Sequence, residues 1–399
     1  MSSLKKQFLT GVVYSVGAKY IGLFVQLVIT GILSRILKPD DFGIVAIATV
    51  FILFFTLLGE VGIGAAIIQN KMLSPKEIQS IFSFSIYIGI TLAFVFFLLS
   101  GKIADFYNRP ELERICRLLS LNILFASFNV VLNALLLKEK KFRFIALRTL
   151  LIQIISGIIG IAAAYAGLKT YALILYAISA SASMFIFNYL KSPLSFELFP
   201  KLPAIRKIFR YSAYQFLFNF INYFSRNLDK LLIGKFLSPV LLGFYDKAYR
   251  LMLLPVENLT YVLAPVIHPF FSDFQQDKQR ILENYMKIVR VLALVGFPIS
   301  VFLHFSAAEL ISIIFGPQWG AAVRPFEILA WSVGLQIVLS SAGPIFQAAN
   351  NTRLLFISGL LSAIIMVLGI LYGILLPKAW TVSPMVCSPH SLLTSYNAT

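Results

Sequence analysis

The chain has 399 residues, of which 59% are hydrophobic and 13% charged, and its formal net charge is +17. A soluble globular protein carries about 25% charged residues, so this chain has too little charge to cover a water-facing surface. The positive charge lies in short loops between apolar runs rather than along one soluble face, which excludes a nucleic-acid-binding reading and fits the positive-inside rule.

Taken in chain order, the apolar runs predict about eleven membrane spans: 8–36, 42–68, 78–100, 115–137, 145–166, 170–190, 207–236, 239–268, 286–308, 325–348 and 354–376. Each is long enough to cross hydrocarbon as a helix, and a β-barrel would show short alternating segments instead. The first span lacks a small-residue cleavage site and is expected to be retained. The longest connection, KSPLSFELFPKLPAIR at 191–206, reads as a linker between two lobes. Basic residues gather roughly twofold on the side that holds the N-terminus and this linker, which predicts that side to be cytoplasmic.

Between spans one and two stands Leu37-Lys38-Pro39-Asp40-Asp41-Phe42-Gly43-Ile44, and between spans seven and eight Leu237-Ser238-Pro239-Val240-Leu241-Leu242-Gly243-Phe244. Both read L-x-P-x-x-[FL]-G, at an offset of 200 residues. Proline starts the second helix of a tight hairpin and glycine allows close approach. At the same offset Ser15 falls on Gln215, Lys19 on Asn219, Gln26 on Arg226 and Thr30 on Lys230. Spans one and seven therefore each carry a polar stripe, with Asn222 adding to the second. An even number of crossings separates them, so the repeat is parallel and both stripes are expected to face a central cavity.

Charges inside spans default to functional candidates, because each costs about 2.5–3.5 kcal/mol near mid-bilayer. Lys19 and Arg226 lie deepest on the stripes. Glu60 opens an EVGIG segment read as a softened membrane helix. Glu60, Asp229 in span seven, and Asp246, Lys247 and Arg250 in span eight are candidate ion-pairing or gating groups, and a purely structural reading pairs Arg226, Asp229 and Lys230 with the span-eight charges across the hairpin. Soluble-enzyme chemistry is missing: His268, His304 and His390 are scattered, and there is no H-E-x-x-H, no Walker loop and no G-x-S-x-G. Cys116 and Cys387 form no metal spacing, and no metal or cofactor is expected.

Four stretches carry a family resemblance: SRILKPDDFGIVAIATVF at 34–51 with GEVGIGAAIIQ at 59–69, RNLDKLLIGKFLSPVLLGFYDKAYRL at 226–251, FSDFQQDKQRILENYMK at 271–287, and FGPQWGAAVRPFEILAW at 315–331. Together they resemble the Wzx-type exporters of O-antigen, colanic acid, teichuronic acid and similar polymers, within the multidrug/oligosaccharidyl-lipid/polysaccharide flippase superfamily. The resemblance implies an all-α integral membrane fold with two lobes around a central cavity. It implies a flippase that moves polyprenyl-diphosphate-linked oligosaccharide across the bacterial inner membrane, beside membrane lipid and the polymerase and chain-length machinery.

On that reading the lobes are residues 1–190 and 207–376, joined by the linker 191–206. The second lobe is one helix short of six, and 377–399 is an aberrant polar tail. The residues expected to meet substrate are Lys19, Gln26, Gln215, Asn219, Asn222, Arg226 and Lys230, the cations for a diphosphate and the amides for sugar. Two further readings stand beside it: a cation-coupled exporter of small molecules or drugs, which would want acidic groups deep in the cavity, and a membrane-embedded sugar-polymerising enzyme or a non-transporting assembly partner.

Overall fold

The computed structural model describes residues 2–60, 62–70, 73–201, 220, 223–224, 227–272, 278–341 and the isolated positions 357, 361, 364, 365 and 368; side chains are described from Val16 onward except at 65, 260–272, 278, 280 and 281. All regular structure among the described residues is helical. Eight helical segments there are long and apolar enough to cross a membrane, and the protein is a multi-pass membrane protein. The expected last span and the 377–399 tail lie almost wholly outside the described residues.

Contacts gather the chain into two compact units, residues 1–240 and 241–399. The first contains α1 (Ser2–Ile36), α2 (Pro39–Glu60), α3 (Ile63–Gln69), α4 (Pro75–Tyr107), α5 (Glu111–Lys138), α6 (Phe142–Tyr165), α7 (Thr170–Lys191) and α8, helical over 227–236. It thus includes described residues of 220–240, which the sequence assigns to the second lobe.

Helix ends follow local chemistry. In α2, Pro39 stands first and Asp40 and Asp41 follow, where the helix dipole favours acid. Asp41 ties the turn down twice: Oδ2 accepts from Lys38 N at 2.9 Å and Oδ1 from Thr170 Oγ1 at 2.6 Å. At the start of α4, Ser74 and Glu77 form a reciprocal capping box ahead of Pro75. The span expected at 42–68 is broken: α2 stops at Glu60, Gly62 takes φ 69°, and the short α3 follows. Glycine adopts that left-handed conformation without a Cβ clash, so the EVGIG segment is a corner rather than a softened continuous helix.

Among the described residues, two apolar clusters help hold the first unit. Ile63, Ile67, Ile81, Phe82, Val131 and Leu132 join α3, α4 and α5, while Ile29, Leu33, Leu37, Ala163, Ala172 and Leu173 join α1, α6 and α7. Small residues bring helices close where lipid supplies no hydrophobic drive. A Cβ on Gly89 of α4 would stand 2.6 Å from Ser127 Cβ on α5.

The described part of the linker lies along α4. Ser80 Oγ donates to Glu197 Oε2 at 2.5 Å, Glu197 N to Ser83 Oγ at 2.7 Å, and Tyr87 Oη to the Leu198 carbonyl at 2.8 Å. These bonds satisfy polar groups that an extended segment would otherwise leave open.

In the second unit α9 (Pro239–Ser272), whose first two residues belong to the first unit, is followed by α10 (Lys278–Phe305), α11 (Ala307–Phe315), a 3₁₀ turn (Pro317–Ala322) and α12 (Val323–Ser340). Trp319, fully buried, sits edge-on to Phe244 and close to Phe315. The segment expected as a loop before 325 is therefore a packed helical corner. Gly296 and Gly334 meet where α10 crosses α12, with a Gly296 Cβ only 3.2 Å from the Gly334 carbonyl oxygen.

Candidate substrate-binding site

Helix α1 is the most complete view of a predicted polar stripe. Lys19 is half-buried, Gln26 is exposed and Thr30 is half-buried, spaced to share one face. The Ser15 side chain falls outside the described set. Behind this helix Gln153 Nε2 of α6 donates to the Gly22 carbonyl at 2.9 Å, which fixes α1 against the first unit.

The matching stripe is described only at its end. Gln215, Asn219, Asn222 and Arg226 lie outside the described residues. Asp229 and Lys230 are half-buried, and Asp229 Oδ1 accepts from the Lys230 backbone N at 2.8 Å. Glu60 ends α2 with an exposed side chain.

The charges of α9 are arranged along their own helix. Asp246, 5% exposed, takes an ion pair from Arg250 Nε at 2.7 Å, one turn on. Lys247 is buried beside it, with Nζ 5.1 Å from the Phe315 ring centre and 5.4 Å from that of Trp319. Ammonium over aromatic faces is a cation–π arrangement that partly replaces lost water. This cluster is built into the packing of its unit.

A cavity of about 540 Å³ lies within the first unit, bounded by α2, α4 and the described residues of 223–236. Its walls are apolar, with Phe51, Phe54, Phe55 and Phe224 prominent. Phe54 packs against Phe220, Tyr223 and Phe224 at centroid distances of 5.6–5.9 Å. Both tyrosine hydroxyls at the cavity are engaged: Tyr107 Oη donates to the Leu231 carbonyl at 3.3 Å, and Tyr223 Oη to that of Val50. Two lysines stand at the end near the C-termini of α4 and α8. Lys102 is exposed, and Lys235 Nζ lies 4.3 Å from the Phe106 ring centre and donates to the Phe106 carbonyl. An apolar, aromatic-lined slot suits a lipid chain.

Sequence reasoning misses this slot, because its aromatics are indistinguishable from ordinary lipid-facing residues until the helices are placed. It also misses Arg148, which lies near the start of the span expected at 145–166. Arg148 is buried between α5, α6 and α7, donating to Asn133 and Asn188. The available signal was the Asn129/Asn133 pair, one helical turn apart on α5.

The family model described as polysaccharide biosynthesis protein matches residues 32–324. The lipopolysaccharide biosynthesis protein WzxC of Escherichia coli (strain K12) is 25% identical over 364 residues, covering 89% of this chain and 72% of that protein. The teichuronic acid biosynthesis protein TuaB of Bacillus subtilis (strain 168) is 26% identical over 394 residues, covering 95% of this chain and 80% of its own. Among solved structures, the lipid II flippase MurJ in its inward closed conformation aligns with a TM-score of 0.74 at 16% identity, over 91% of this chain and 82% of that one. At that identity the likeness speaks for the fold alone.

Proposed function

The chain belongs to the polysaccharide biosynthesis protein family, and from that premise we propose that it is a flippase for polyprenyl-diphosphate-linked oligosaccharide. The observation that carries the reading is Lys19, a half-buried cation within an apolar span, on one face with the exposed amide of Gln26. A cation held inside a membrane helix suits an anionic cargo, and neighbouring amides suit hydroxyl groups.

In this account Lys19, Arg226 and Lys230 bind the diphosphate, and Gln26, Gln215, Asn219 and Asn222 meet the sugar. Burial lowers the local dielectric and strengthens those charge-assisted bonds. The polyprenyl tail lies in the aromatic slot of α2, α4 and 223–236, whose apolar walls need no polar partner. Lobes 1–190 and 207–376 open alternately to either side of the membrane, with the N-terminus and the 191–206 linker on the cytoplasmic side of the bacterial inner membrane. A polymerase and its chain-length partners would take up the delivered unit.

The test is a deletion strain assayed for lipid-linked repeat units by leaflet. Accumulation on the inner leaflet, reversed by the intact chain, supports the reading. Normal delivery to the outer leaflet without the protein contradicts it.

A further inference from the structure

Arg148 is the one fully buried charged side chain of the first unit among the described residues, 4% exposed. It makes no ion pair there. Its partners are neutral amides. Nη1 and Nη2 each donate to Asn133 Oδ1 at 3.4 Å, and Nη1 also donates to Asn188 Oδ1. Asn188 in turn donates to Asn129 Oδ1. The buried Nε has no partner. The amide nitrogens of Asn129 and Asn133, both half-buried, donate to no acceptor among the described residues.

A guanidinium keeps its proton even when buried. Amide oxygens orient toward it but leave its charge uncancelled, and a buried charge lacking a counter-charge is the costly case, most of all within a membrane span. The groups left over are all donors: Arg148 Nε–H and the NH₂ groups of Asn129 and Asn133. Donors around a fixed positive charge repel metal cations and accept an anion. Arg148 and Asn188 are buried where α7 packs against α5 and α6, which suits a monatomic ion and not a glycolipid head.

We propose that the Arg148–Asn129–Asn133–Asn188 cluster holds a resident chloride-sized anion, which neutralises Arg148 and ties α5, α6 and α7 together. This inference does not rest on the flippase reading, since it concerns an ion that stays in place.

The test uses the full chain in detergent, unfolded by heat at equal ionic strength in sodium chloride, bromide, phosphate or gluconate. Chloride and bromide are expected to raise the midpoint by about 3 °C over gluconate, with phosphate matching gluconate. Arg148→Gln should abolish the difference and Asn133→Ala should shrink it. Equal midpoints in chloride and gluconate for the unaltered chain would overturn the proposal, as would a chloride effect undiminished in Arg148→Gln. A phosphate effect larger than that of chloride and lost in Arg148→Gln would also overturn it, by assigning the site to an oxyanion. Should Arg148→Gln fail to insert, bromide anomalous scattering from the unaltered chain decides: a peak within hydrogen-bond reach of Arg148 Nε supports the site, and bromide absent from the cluster refutes it.

Discussion

Gly43 lies directly against the backbone carbonyl of Pro239, so close that no Cβ fits between them. The two residues belong to the matched hairpins LKPDDFG and LSPVLLG. A backbone oxygen cannot rotate aside as a side chain can, so Gly43→Ala must displace α2 or the turn before α9. Overpacking of this kind costs about 1–3 kcal/mol. The purified Gly43→Ala protein should melt several degrees lower than the parent, whereas Gly64→Ala, with open space around it, should not. Equal melting of all three would mean that the close approach is not a feature of the folded protein.

Charge removal on the polar stripes should impair transport without impairing insertion. A charge-assisted hydrogen bond contributes about 1.5–3 kcal/mol, so Lys19→Ala with Arg226→Ala should slow export by about tenfold or more at normal abundance. Export at the parental rate would remove both residues from the account of diphosphate binding.

Ser195 is exposed within a linker held along α4 by Glu197 and Leu198. The basic bias of that side predicts a cytoplasmic position. A cysteine placed at Ser195 should be protected from impermeant maleimide in intact cells and should react after permeabilisation. Labelling from outside intact cells would invert the topology.

Filling the aromatic slot should discriminate between substrates by tail length. Leu228 lines the cavity of about 540 Å³ and is half-buried. Leu228→Trp should reduce transport of a full-length polyprenyl substrate several-fold while sparing a short-chain analogue. Equal loss for both, or none for either, would dissociate the slot from the tail.

The membrane class was plain in composition, since apolar runs of that length have few other solutions. The hairpin turn at 37–43 was legible too, because proline and acidic residues mark a helix start wherever they occur. The break at Gly62 was not. A single glycine among apolar residues is common inside membrane helices, and only its positive φ shows that this one turns a corner. The role of Trp319 was equally hidden: it falls between the spans expected at 286–308 and 325–348, yet Phe244 and Phe315 close around it. At the candidate site, Lys19 and Gln26 could be placed on one face by spacing alone. Arg148 could not, because its partners Asn133 and Asn188 come from α5 and α7 and meet it only once those helices are packed. Asp246 and Arg250 were seen as charges, but their pairing along one helix needed the rotamers.

The central claim is tested most directly with the purified protein in proteoliposomes containing a fluorescent polyprenyl-diphosphate oligosaccharide. A membrane-impermeant quencher or glycosidase reports which leaflet holds the sugar. The account predicts protein-dependent movement of the sugar between leaflets, slowed about tenfold or more by Lys19→Ala with Arg226→Ala. A rate no faster than that of protein-free vesicles, with the protein folded and inserted, would contradict it.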